Sequence, residues 1–306
     1  MNSRLTIKCP GFDESFNSNS ILMLPLSSKR DFSHPIDGKL IKRLDSPVVN
    51  AILKPIVEQI ADFYQGQILA AAIPVNANSF SEIDKLVNEC VRTLGIRRPY
   101  VVISNSIGFN AYTVGSDEEP HIVIGAHLVK VMSPQQLKFI IGHECGHILM
   151  GHVMYHFLAS NTSVLVKMIP VIGPVLAPVL DSTVGLLLKA WSRRSEITAD
   201  RAGLLCCNDL NVAKRSLLQL EAGFIDADNV NIDSYLENSR KFRNRSMLRR
   251  VGEYTADHPM LSKRIEALDL FARSKKYYKF LGTSAPLTAI SDHQLEADIE
   301  KLLKIM

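Results

Sequence analysis

Residues 143–147 read His-Glu-Cys-Gly-His, ten residues after a strong helix start. Ser133 stands at the N-cap, Pro134 at the first helical position and Gln136 where a capping box needs Glu or Gln. Leu137, Phe139, Ile140, Ile141, Ile148 and Leu149 make this helix apolar nearly all round, as a helix through the middle of a domain must be. At 3.6 residues per turn, positions four apart lie about 40° from each other, so both imidazoles leave one face and can share a metal. Glu144 sits one step round, where it can reach a water at the metal without being a ligand, as a general base requires. With nine His and 14 Glu in 306 residues, chance supplies roughly 0.01 such pentapeptides. The fold therefore has to be built around a metal-bearing helix.

A zinc site for hydrolysis needs a third protein ligand and one open position. Val153 stands where a metzincin would carry its third His, which excludes that class. His152 and His156 fall about 180° and 220° round the same helix from His143, so both are expected as polar residues on its far face. The better third ligand is Glu196, in Ser192-Arg-Arg-Ser-Glu-Ile-Thr-Ala-Asp200-Arg-Ala-Gly203. Glu196 and Asp200 lie four apart on a helix expected from about Thr183 to Cys207. One carboxylate can ligate zinc while the other accepts the free N–H of a ligating imidazole and fixes its tautomer.

Elsewhere the pattern predicts helices over 47–70, 79–95, 261–275 and from Ser291, with shorter ones between 207 and about 242. Three β-rich runs, Tyr100–Ser104, Asn110–Val114 and His121–Gly125, read as an antiparallel meander, since a polar turn joins the last two. Residues 1–45 are mostly polar and are expected as a loosely ordered arm, followed by a domain over 46–280 and a helical tail over 281–306. A formal charge of +4 gives no general phosphate-neutralising surface, so no nucleic-acid partner is expected. Five cysteines without a Cys-x-x-Cys pair suggest a reducing compartment. The N-terminus lacks the apolar stretch of a signal peptide, so the expected location is cytoplasmic.

From Asn110 to about Ile265 the sequence resembles the HtpX-like and CAAX prenyl protease type 1 family of zinc metallopeptidases, a gluzincin group whose third ligand comes from a Glu-x-x-x-Asp helix. The two metal motifs occur in the family's order. Asn110-Ala-Tyr-Thr-Val-Gly115 is similar to its edge strand, and His258-Pro259 with Arg264-Ile265 to its His-Pro-x-x-x-x-Arg-Ile segment. Cys145 departs from the more usual aliphatic residue, and flanking transmembrane helices are missing. The resemblance implies an α+β, mainly helical zincin-type fold with a small antiparallel sheet beside the active-site helix. It also implies one Zn2+ held by His143, His147 and Glu196, with Asp200 and Arg264 behind them. Asn110, Ala111, Tyr112 and Thr113 would hold an extended polypeptide by strand addition. His258 would plug the open zinc position, donate to the oxyanion, or do neither.

The expected activity is hydrolysis of peptide bonds in unfolded or membrane-associated proteins by a zinc-activated water, with Glu144 as base. The rivals are a non-catalytic membrane-associated scaffold or chaperone retaining a structural zinc, and a zinc hydrolase acting on a non-peptide amide. Two segments bear on membrane contact. Residues 164–180, apolar and proline-rich, either fold against the catalytic helices or dip into a bilayer surface. The six cations between Arg240 and Arg250 either meet anionic lipid or form a solvated helix face.

Overall fold

The computed structural model describes residues 71–116, 119–153, 183–223, 229–243 and 260–304, together with Phe32, Ser33 and a few positions between 55 and 70. The helix expected over 47–70 falls almost wholly outside these residues. So do 164–180, His156, His258 and most of the N-terminal arm.

The first described strand is β1 (Ala72–Pro74), followed by helix α1 (Ser81–Leu94). Ile83, Val87, Cys90 and Leu94 recur at helical spacing on α1 and are buried, and Gly95 closes the helix at φ 62°. Strands β2 (Tyr100–Ser104), β3 (Ala111–Gly115) and β4 (Pro120–Gly125) come next. The sheet order is β1-β2-β4-β3. The hairpin β3–β4 is antiparallel as expected, but β2 pairs with β4 in parallel, with Val102 opposite Val123, so the sheet is mixed and not a meander. Burial explains the order. Ile122, Val123 and Ile124 are all fully buried, as a strand needs when covered on both faces, whereas Ala111, Tyr112 and Thr113 are half-exposed and suit an outer strand.

A short helix α2 (Ala126–Val131) leads into α3 (Pro134–Met150), which starts with the expected capping box between Ser133 and Gln136. It ends at Gly151, whose φ of 68° is the left-handed conformation that glycine adopts without strain. Helix α4 (Thr183–Cys207) crosses it. The two approach closely because their seam is made of small residues. A methyl on Gly146 would lie 2.7 Å from the Ala202 side chain, and one on Gly142 2.7 Å from that of Cys206. At Gly203 the added carbon would sit 2.8 Å from the Phe139 carbonyl oxygen, which is backbone and cannot swing away. Overpacking costs about 1–3 kcal/mol and generally outweighs the roughly 1 kcal/mol by which Ala is favoured over Gly inside a helix. Gly203→Ala should therefore lower the urea midpoint, with a net loss of up to about 2 kcal/mol. A variant as stable as the parent would mean that the helices can separate freely at this point.

Helices α5 (Leu210–Ala222), α6 (Ile232–Arg243), α7 (Leu261–Ala272), α8 (Lys275–Leu281) and α9 (Asp292–Leu303) complete the described chain. The helix expected over 261–275 ends at Ala272 because Ser274 caps a new one, its hydroxyl accepting from the Tyr277 amide. Leu295, Ile299 and Leu303 of α9 join the same core as α3, α4 and α7, and Phe32 of the expected arm is buried in it, edge-on to Phe280. Arg201, itself buried, fastens these ends together. Its guanidinium donates to the Phe32 carbonyl at 2.6 Å, pairs with Glu296 of α9 at 3.0 Å, and lies over the Phe271 ring. No helix among the described residues is long and apolar enough to cross a membrane. Of the basic run from Arg240, Arg240 pairs with Glu266 and Lys241 with Glu237.

Candidate metal centre

Helix α3 turns His143 and His147 toward α4, and the small-residue seam lets Glu196 reach between them. The two Nε2 atoms stand 3.1 Å apart. Glu196 places Oε2 3.6 Å from Nε2 of His143 and Oε1 3.5 Å from Nε2 of His147. One ligand atom from each residue lies within 4.8 Å of the others, and among the described residues no other group of His, Cys, Asp or Glu is gathered in this way. Two imidazole nitrogens and a carboxylate oxygen are the donor set of a hydrolytic zinc site that keeps a position open. Two buried imidazole nitrogens and a buried carboxylate converging this closely can share one cation, so the residues fit zinc.

The groups behind them are ordered. Asp200, one turn beyond Glu196, accepts from Nδ1 of His143 at 3.0 Å. Arg264 of α7 grips both Asp200 oxygens, at 2.8 and 2.6 Å, and stands 3.3 Å from Glu196. Burial would raise the Asp200 pKa, but the Arg264 guanidinium outweighs it and holds the carboxyl below its usual range. The two imidazoles differ. Burial disfavours charge on both, but at His143 the Asp200 hydrogen bond and the nearby carboxylates prevail and raise the pKa, whereas His147 is lowered.

Glu144 is buried beside the cluster, and its carboxylate accepts a 2.7 Å hydrogen bond from the Thr113 hydroxyl. The four residues expected to hold substrate thus divide. Thr113 turns inward onto Glu144, Ala111 packs on the main core, and Tyr112 lies over the buried patch of Val102, Val114 and Val123 on the opposite sheet face. Asn110 accepts at its side chain from the Ala111 amide.

His152 corrects an expectation. It is not on the far face of α3, because the helix has already ended at Gly151. The chain folds back so that the His152 amide bonds the His147 carbonyl, and the fully buried ring brings Nδ1 to 3.1 Å from Nδ1 of His147. The wheel that placed it elsewhere ran through Gly151, and that glycine was the signal that could have redirected the reading.

The model of peptidase family M48 matches residues 77–272, which contain every residue just described. Plastoglobule-localized metallopeptidase 48 of Arabidopsis thaliana is 28% identical over 264 residues, covering 82% of this chain and 75% of that protein. The protease HtpX homolog of Methanocaldococcus jannaschii is 23% identical over 202 residues, 56% of this chain and 70% of that protein. Protease HtpX of Chromohalobacter salexigens is 29% identical over 97 residues, 31% of this chain and 32% of that protein. No solved structure matches. The match takes in the two helices that carry the ligand cluster, the outer strand and Arg264 together, and on it the chain belongs to peptidase family M48 and is a metallopeptidase.

Proposed function

We propose that the chain is a zinc-dependent endopeptidase acting on extended stretches of unfolded or membrane-associated polypeptide. The observation that carries this reading is the convergence of His143, His147 and Glu196 with Glu144 buried beside them. Zinc held by the three would supply Lewis acidity toward the scissile carbonyl and a nucleophile available near neutral pH. Glu144 takes the proton of the attacking water and returns it to the leaving amine. The Thr113 hydroxyl holds one oxygen of that carboxylate and leaves the other for the proton. Thr113 belongs to β3, the outer strand of the sheet, so a substrate strand added along that edge would run past the residue that orients the base. Asp200, gripped by Arg264, keeps His143 in the tautomer that presents Nε2 to the metal.

The test is zinc content and casein cleavage by the purified chain. About one zinc per chain is expected, with cleavage lost to a chelator and restored by zinc. Zinc without cleavage of any polypeptide would favour the scaffold reading, and the absence of bound zinc would end both.

A further inference from the structure

We propose that His152 is a positioning residue for the metal centre, the neutral acceptor that fixes the tautomer of His147. The inference rests on the zinc reading above. Nε2 of His147 faces Nε2 of His143 and the Glu196 carboxylate, so ligation occurs through that nitrogen and the ring proton resides on Nδ1. Nδ1 points away from the cluster at Nδ1 of His152, 3.1 Å distant. Two nitrogens at this distance need one donor and one acceptor. His147 donates, so His152 accepts with a bare Nδ1 and carries its own proton on Nε2.

The placement of His152 is built in. The turn at Gly151 carries the chain back, the His152 amide donates to the His147 carbonyl at 2.9 Å, and the ring meets Trp191 of α4 edge to face at 5.1 Å and 89°. Both rings are fully buried. The ring is thus fixed by backbone on one side and by α4 on the other.

Charge explains why an imidazole stands here and a carboxylate stands behind His143. Glu144, Glu196 and Asp200 are three buried acids facing one buried guanidinium, Arg264. A divalent cation makes that set neutral. A carboxylate behind His147 as well would add a further buried negative charge, which is costly unless a cation pairs with it. A neutral imidazole orients the second ligand without adding charge.

A matched pair of full-length variants tests this. His152→Leu and His152→Asn have the same branched arrangement of side-chain heavy atoms and both lose the ring contact with Trp191, but only Asn keeps an acceptor near the position of Nδ1. Zinc affinity is measured by competition with a chromophoric chelator, alongside the thermal midpoint of each metal-free protein. His152→Leu should bind zinc about 10- to 100-fold more weakly than the parent, as loss of an orienting partner does. His152→Asn should recover most of that loss although its metal-free midpoint is no higher, since a buried amide does not stabilise the fold over leucine. Equal zinc affinity in the two variants would overturn the proposal, because the acceptor would then be irrelevant. If His152→Leu does not fold, His152→Phe removes the acceptor while keeping a ring against Trp191, and it too should bind zinc more weakly than His152→Asn. A parent chain that binds no zinc would instead overturn the reading on which this one stands, and the parent titration distinguishes the two failures.

Discussion

Glu144→Gln should bind about one zinc per chain, as the parent does, and hydrolyse peptide about 100- to 10,000-fold more slowly, the usual contribution of a positioned proton acceptor. The substitution conserves volume, and its amide oxygen can still accept from the Thr113 hydroxyl, so neither the packing of α3 nor the order of the site should change. The amide cannot take a proton from water. Turnover of a quenched-fluorescence peptide, with zinc content measured on the same sample, separates the two properties. Activity within about tenfold of the parent would remove Glu144 from the chemistry.

Glu196→Ala should fail earlier, at the metal. Two imidazoles remain, and the loss in zinc affinity should exceed the roughly 10- to 100-fold that follows removal of an orienting neighbour. Arg264 retains Asp200 through two hydrogen bonds, so its guanidinium is not left buried without a carboxylate, and the variant should still fold. Dialysis against a mild chelator, followed by zinc analysis, reads the outcome. Retention of one zinc per chain would place the third ligand elsewhere.

That these residues come together could be read from the sequence because the geometry that places them is local. A capping box, two His at one-turn spacing and a Glu-x-x-x-Asp pair each lie within a single helix, and helical geometry fixes their relative directions. What the sequence hid is relational. Consecutive apolar residues in β2 and β4 reveal burial on both faces but not which strand lies beside which, so the parallel pairing was missed. Strand β1 has three residues and one is Pro74, too little pattern for any periodicity to register. Alternation assigns Thr113 to a face of β3, but only the packing of that face on α3 reveals Glu144 as its partner. His152 was misplaced because a helical wheel assumes the helix continues, and here a glycine stops it.

Arg201 ties the helix that carries Glu196 to parts of the chain far from it in sequence. It follows Asp200 directly on α4 and points the other way, into Glu296 and the Phe32 carbonyl, both outside the 77–272 that match the family. Trimming the chain to that match would keep every ligand and discard both partners of a guanidinium that is 1% exposed. The same cut removes Phe32, Leu295, Ile299 and Leu303 from the core. Burying an apolar side chain of that size contributes about 1.5–3 kcal/mol, so the loss is a large share of the roughly 5–15 kcal/mol that separates a folded domain from its unfolded chain. The segment recognisable by kinship is therefore shorter than the segment that completes the core, and an excised 77–272 should be markedly less stable than the whole chain.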